Sequence, residues 1–307
     1  MNVSEARQFI TAYYRNPNPG EDDKFLFEEA QRVIIDAYHD PRDMHNLAFF
    51  YLKEKRHDME LKYLEMAAEY GYAPAIEELG YIWYYGQNGE VDYKKAFEYF
   101  SKAAESGDDV VMAWAEHKLS DMYHNGFYVE KDEDKYRRMV EDLYEKMTNP
   151  GKLHSVYSYP VESLPFADVQ LKLARIRAED GHADEAMALL SAARTRLAEN
   201  IRNNPSWWGN VEVIEEVVRL QHKIDPSMEV RDVYDLCALV DVPCKIAFLY
   251  GERRFIIEVV KDEEGNVIRF DRKWFRDVRD FFAKAQIDDK KVVYIYDLLR
   301  DVEATYG

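Results

Sequence analysis

The side chains that could ligate a metal, transfer a proton or attack a substrate are few in this 307-residue chain, and their spacing excludes most reaction classes. Residues 225–307 contain no histidine, and Ser227 and Thr305 are their only hydroxyl nucleophiles apart from tyrosine, so a hydrolase triad has no components there. Cys244 follows Pro243 and precedes Lys245 at an expected strand start, where a partly exposed thiol would be reactive and a buried one only a small hydrophobe. Glu258 and Lys261 lie on one expected strand, but alternation turns them to opposite faces, which rules out a nuclease-type carboxylate–lysine pair. His117, Asp121 and His124 share roughly one helical face, yet the two histidines are about 10 Å apart along the axis, so a solvated face is expected rather than a metal site. His182 reads as a helix-start residue. Gly86 and Gly89 neither follow a strand nor precede a lysine in phosphate-loop order, and read as helix ends. No cofactor and no metal are expected, and no enzymatic activity.

Two surface constellations remain. Arg272, Lys273, Arg276 and Arg279 would form a basic stripe on a helix expected from about Arg272 to Ala285, with Trp274, Phe275, Val278, Phe281, Phe282 and Ala285 on its apolar side. That stripe is either a solvated face paired with Asp277 and Asp280 or a docking surface for an acidic partner or phosphate. The run Tyr81-Ile82-Trp83-Tyr84-Tyr85 cannot turn every ring to one core at helical spacing. Its aromatic residues, with Tyr123, are candidates for partner binding, because such rings bury large area with few rotamers to freeze. Packing between neighbouring helical hairpins is the competing assignment.

The elements that must position these groups follow from composition and periodicity. With 47% hydrophobic and 33% charged residues, the chain has a globular mixture and room for an extended array or two domains. The N-terminus lacks a basic start followed by an apolar run, and no stretch of eighteen apolar residues occurs, so a soluble protein is expected. Its two cysteines, Cys237 and Cys244, show no disulfide framework, and a cytoplasmic location is the expectation. A net charge of -18 makes nucleic acid an unlikely general partner. Residues 225–307 hold 14 basic and 18 acidic side chains, leaving 27 and 41 to residues 1–224, so the excess of negative charge sits in the first part.

That first part repeats. YLEMAAEYG from Tyr63 to Gly71 returns 36 residues later as YFSKAAESG from Tyr99 to Gly107. Ala75, Leu79, Trp83 and Gly86 return 40 residues later as Ala115, Leu119, Tyr123 and Gly126, with Gly89 and Glu90 in the added loop. Tyr93, Ala96, Phe97, Phe100, Ala103 and Ala104 make one apolar helical face, and Ile76, Leu79, Gly80 and Trp83 the stripe opposite it. Gly107 ends the unit where a left-handed residue is required. These residues are similar to the Sel-one-like repeat, a relative of the tetratricopeptide repeat, most fully over 73–107. Residues 45–71 and 113–147 resemble it in part, the latter with EDLYEKM in place of the alanine-rich ending. The resemblance implies stacked helical hairpins and a protein-binding scaffold.

Downstream, 148–165 reads as a linker or long loop, and 166–224 as further hairpins that break at Gly181-His182 and restart after Pro205-Ser206-Trp207-Trp208. After a helix to about Val240, CKIAFLYG, RRFIIEVV and NVIRF read as strands, the last two joined by the turn KDEEG; with the final run KVVYIYDLL they make a small α+β module over 225–307. The expected fold class is therefore mainly α: an α-α superhelix over 1–147, extended to 224, carrying that module. The expected function is a non-enzymatic scaffold whose repeat groove binds a protein, of basic character given the charge. A nucleic-acid, phosphate or unrecognised enzymatic site in the module, and a bacterial or phage effector that inhibits a host protein, are the alternatives.

Overall fold

The computed structural model describes residues 1–149, 164–203, 209–239, 243–261, 266–292, 295 and 299–306. The expected linker, the Pro205–Trp208 start, turn residues 262–265 and five residues of the last apolar run fall largely or wholly outside them. Among the described residues eleven α-helices come first: α1 Val3–Arg15, α2 Glu21–Tyr38, α3 Pro41–Lys53, α4 His57–Glu69, α5 Ala73–Tyr85, α6 Tyr93–Ala104, α7 Asp109–Asn125, α8 Glu133–Thr148, α9 Leu164–Glu179, α10 Ala183–Asn203 and α11 Gly209–Ile224. A 3-10 turn at Val233–Asp235 and a one-turn helix, α12 Leu236–Leu239, precede strands β1 Cys244–Tyr250, β2 Arg253–Lys261, β3 Asn266–Phe270 and β4 Lys273–Phe275. Helix α13 Val278–Lys284, the short pair β5 Gln286–Ile287 and β6 Lys290–Lys291, and β7 Arg300–Tyr306 complete the chain. Among the described residues no helix is long and apolar enough to cross a membrane.

Chain contacts define two compact units: Met1–Met139, and the described residues from Val140 on. In the first, the repeat seen as a 40-residue displacement is reproduced bond for bond. Gly86 and Gly126 end α5 and α7 in the left-handed region at φ 64° and 69°. Behind them the N–H of Gln87 donates to Ile82 O and that of Phe127 to Met122 O, both at 3.0 Å. The loops then close back, the N–H of Asp92 donating to Trp83 O and that of Asp132 to Tyr123 O, again both at 3.0 Å. Asp92 and Asp132 next accept from the N–H of Lys95 and Lys135 and so start the second helices.

The contact between α5 and α6 explains the glycine inside α5. A Cβ on Gly80 would lie 2.6 Å from two ring carbons of Phe100, which is itself fully buried. Ala75, Ala96 and Ala103, all fully buried, line the same hairpin and its neighbours. Large rings on one helix thus meet small residues on the next, and the apolar stripes of α5 and α6 fall where the periodicity put them.

In the second unit the expected boundary at residue 225 does not separate two cores. Leu171, Leu190, Leu197, Ile214 and Val218 of α9–α11 belong to the same buried cluster as Ile246, Phe248, Ile257, Phe270 and Phe281 of the α+β part. The sheet is five-stranded and antiparallel in the order β4-β3-β2-β1-β7. The β2–β3 hairpin stands as expected, with Lys261 opposite Asn266, and β1–β2 form a second, tighter one around Gly251 at φ 62°. The last described strand is the charged stretch 300–306, and over the described residues the helix expected to end near Val240 is the 3-10 turn followed by α12.

The long helix expected from Arg272 is also replaced. Asp271 and Arg272 both have positive φ, 46° and 64°, and form the reversal that pairs β3 with β4. The helix begins only after Asp277, whose carboxylate accepts from the Asp280 N–H. Trp274, assigned above to the apolar side, is 57% exposed because strand alternation turns Phe275 inward and Trp274 out.

Gly80→Ala provides a direct test of the helix contact. Helix propensity alone would stabilise it by about 1 kcal/mol, but overpacking against Phe100 costs about 1–3 kcal/mol. The expected outcome is a lower urea midpoint at unchanged m-value.

Candidate protein-binding surface

In the first unit the leading helices of successive hairpins touch along one side. Tyr13 of α1 meets Phe50 of α3 edge-on, His45 of α3 pairs with Glu78 of α5 at 3.1 Å, and Tyr81 of α5 meets Trp114 of α7. The sequence candidates divide on this frame. Trp83 and Tyr123 occupy equivalent positions and are clasps: Lys95 lies 3.6 Å from the Trp83 ring centre and Lys135 lies 3.8 Å from that of Tyr123. Trp83 is buried, so it presents no surface to a partner. Tyr81 packs against Phe100, and Tyr84 against Tyr93, Phe100 and Phe127, which makes both inter-helix packing residues. Tyr85 is 54% exposed, and its hydroxyl accepts from Lys118 Nζ at 2.9 Å while that ammonium lies over the Tyr84 and Tyr85 rings.

The first three helices form a further surface, which joins Tyr14 to residues that no sequence signal had grouped with it. Two clefts lie among α1, α2 and α3, one of about 530 Å³ lined by residues including Arg7, Thr11, Gln31 and Asp43, the other of about 290 Å³ lined by residues including Phe27, Phe49 and Lys53. They share Tyr14 and Asn46, so they adjoin. Tyr14 is 65% and Phe49 51% exposed, while Tyr13 stacks on Phe27 beneath them at 4.2 Å. Burial, and then Asp40, push the Asp43 carboxyl up, while burial raises the Tyr14 phenol. The signal available was the pair Tyr13-Tyr14, of which one ring had to leave the core.

Other candidates are dispersed. His117 is buried rather than solvated, Asp121 pairs with Lys118 at 3.5 Å, and His124 meets Glu133 at 3.1 Å and stacks near Tyr136. Among the described residues no group of three histidine, cysteine or carboxylate side chains is placed to hold a metal. Cys237 and Cys244 are both buried, which pushes both thiols up. Glu258 is gripped by Lys245 and then Arg269 across neighbouring strands, which holds its carboxyl low. The basic stripe is broken up: Arg272 sits in a turn, Lys273 on β4 and Arg276 before α13. Arg279 alone is on the helix, 3.1 Å from Glu212.

A polar network centred on buried Arg194 and Asp235, with half-buried Asp232 and His222, ties α10 and α11 to the segment after them. Arg194 donates to both carboxylate oxygens of Asp235 at 2.9 and 2.8 Å and to Asp232 at 2.7 Å, while His222 Nε2 lies 2.9 Å from Asp235. Burial opposes ionisation of Asp235, but the bonds from His222 and Arg194 outweigh it and hold the carboxyl far below its usual value. Asp232 moves up, driven by burial. The set is closed on itself and reads as an internal clamp.

This architecture is that of a helical-hairpin repeat protein with an α+β extension. The Sel1 repeat family model matches residues 73–108 and 115–135, which form hairpins of that repeat kind; Sel1 repeat proteins are generally protein-interaction scaffolds and typically non-catalytic. No curated protein sequence matches the chain. Among solved structures, a Sel1 repeat protein from Oxalobacter formigenes is 19% identical, covering 71% of this chain and 88% of its own, with a TM-score of 0.44. Another, c5321, a protective antigen of uropathogenic Escherichia coli strains with an SLR fold, is 17% identical, covering 73% of each chain, with a TM-score of 0.21.

Removing Arg194 strands the Asp235 carboxylate in the core, so Arg194→Leu should lower unfolding free energy by about 3–5 kcal/mol. The pH dependence should reverse sign. In the wild type the depressed Asp235 pKa contributes stability above about pH 4 that is lost as acid passes through the folded-state value. In the variant that pKa rises, so acidification from neutral pH relieves the stranded charge, and urea melts across pH 4–7 should show the variant gaining on the wild type.

Proposed function

We propose that the chain is a non-enzymatic scaffold that holds a protein partner against the face built by α1, α3 and α5. The observation that carries this is the pair of adjoining clefts flanked by the exposed rings of Tyr14 and Phe49. Rings held on a packed floor, as Tyr14 is by Phe27 at 5.5 Å, lose little freedom on binding and act as anchors. The helices beneath need not move, because each is fixed by the next hairpin. Tyr85 continues the face on α5. A basic partner is supported by the net negative charge of residues 1–224, and a reducing, cytoplasmic setting by two buried, unpaired thiols. An anion site on Arg276 and Arg279 is disfavoured, since each is already paired with carboxylates.

The test uses the full chain to capture a stoichiometric partner, and then compares variants against it. Tyr14→Ala with Phe49→Ala should weaken binding by at least tenfold, about 1.4 kcal/mol, with the urea midpoint nearly unchanged. Trp83→Ala, which removes a buried clasp, should lower stability by about 3–5 kcal/mol and leave the affinity of the folded protein intact. Full affinity in the Tyr14/Phe49 variant would remove this face from the function.

A further inference from the structure

Among the described residues strand β7 is an edge: it pairs with β1 alone, and no backbone hydrogen bond reaches its other side. A groove of about 450 Å³, none of whose lining residues belongs to β1, lies between Pro226, Ser227, Met228, Glu229 and Val230 and β7 residues Val302, Glu303 and Ala304. A register shift opposite Ala247–Leu249, with Asp301 at φ 52°, leaves Glu303–Tyr306 as the regular stretch. An unpaired edge of this kind templates another strand, to which main-chain bonds give affinity and alternate side chains give selectivity.

The side chains along the groove say which strand fits. Its two charged lining residues, Glu229 and Glu303, are both acidic, and the exposed Asp301 stands two residues before Glu303 in the same strand. A second copy of β7 laid antiparallel about its middle residue would set Glu303 opposite Glu303, and like charges directly opposite destabilise a pair. Val302 and Ala304 pack toward the core of the unit, and Glu303 alternates to the opposite face of the strand. The occupant therefore needs cationic residues on the face shared with Glu303 and small or β-branched apolar residues on the face shared with Val302 and Ala304.

We propose that β7 docks an extended segment of another protein in which Lys or Arg alternates with apolar residues, adding a sixth strand to the sheet. This surface lies within the C-terminal unit and does not depend on the repeat face. It gives the α+β extension a recognition role of its own, and the carboxylates that admit a basic strand also keep copies of the chain from pairing edge to edge.

The experiment is amide hydrogen exchange on the full chain with two acetylated and amidated pentapeptides as probes, Lys-Val-Lys-Val-Lys and Glu-Val-Glu-Val-Glu. The basic peptide should slow exchange across residues 300–306 by roughly tenfold at saturation, leave the acidic helices unchanged, and outcompete the acidic one. In the double variant Glu229→Lys, Glu303→Lys the preference should invert toward the acidic peptide. Protection spread over the acidic surface, equal protection by both peptides, unslowed 300–306 amides, or a preference that survives the charge reversal would each overturn the proposal. Protection of β7 that rises with protein concentration in the absence of peptide would overturn it in favour of self-pairing.

Discussion

The close approach of α5 and α6, with the Phe100 ring occupying the space a side chain at position 80 would need, is the constraint on which the repeat unit rests. A single amphipathic hairpin buries too little surface to be stable alone, so each needs a neighbour, and neighbours can be near only where small residues alternate with rings. Ala96 and Ala103 on α6 keep that distance, while the cation–aromatic clasps Lys95–Trp83 and Lys135–Tyr123 hold the hairpins together at their loop ends. Rigidity of the face presented by α1, α3 and α5 follows from this packing rather than from any bond on the face itself.

The two units solve the same problem differently. In the first, large rings and small residues interleave along successive helices. In the second, helices α9 to α13 and a sheet share one apolar cluster, and a buried guanidinium between two carboxylates fixes the segment that joins α11 to the sheet. Such a network adds little net energy over a well-packed apolar core. Its geometric demands are strict, however, and it holds the 231–235 segment in one arrangement against α10 and α11.

The hairpins were legible because their signals are local: the left-handed glycines, the capping aspartates and the 3.6-residue periodicity all act within one unit. The β2–β3 hairpin was legible for the same reason. What the sequence concealed depends on context. Arg272–Ala285 has the apolar spacing of a helix, yet two consecutive positive φ values at Asp271 and Arg272 turn its first part into a strand and expose Trp274. Trp83 and Tyr123 have the residue types of a binding hot spot, but a lysine from the next helix covers each. Phe49 carries no signal of its own in the sequence, and its exposure beside Tyr14 follows from how α1 meets α3, which no periodicity encodes. The open edge of β7 lies in a charged stretch next to an apolar run that reads more like a strand.

The measurement that bears most directly on this account is an exchange footprint of the full chain bound to its captured partner. The account predicts slowed amides in α1 and α3 around Tyr14, Asn46 and Phe49, extending to the C-terminal end of α5. Protection confined to residues beyond 243, with α1, α3 and α5 exchanging as in the unbound protein, would contradict it and move recognition to the α+β extension.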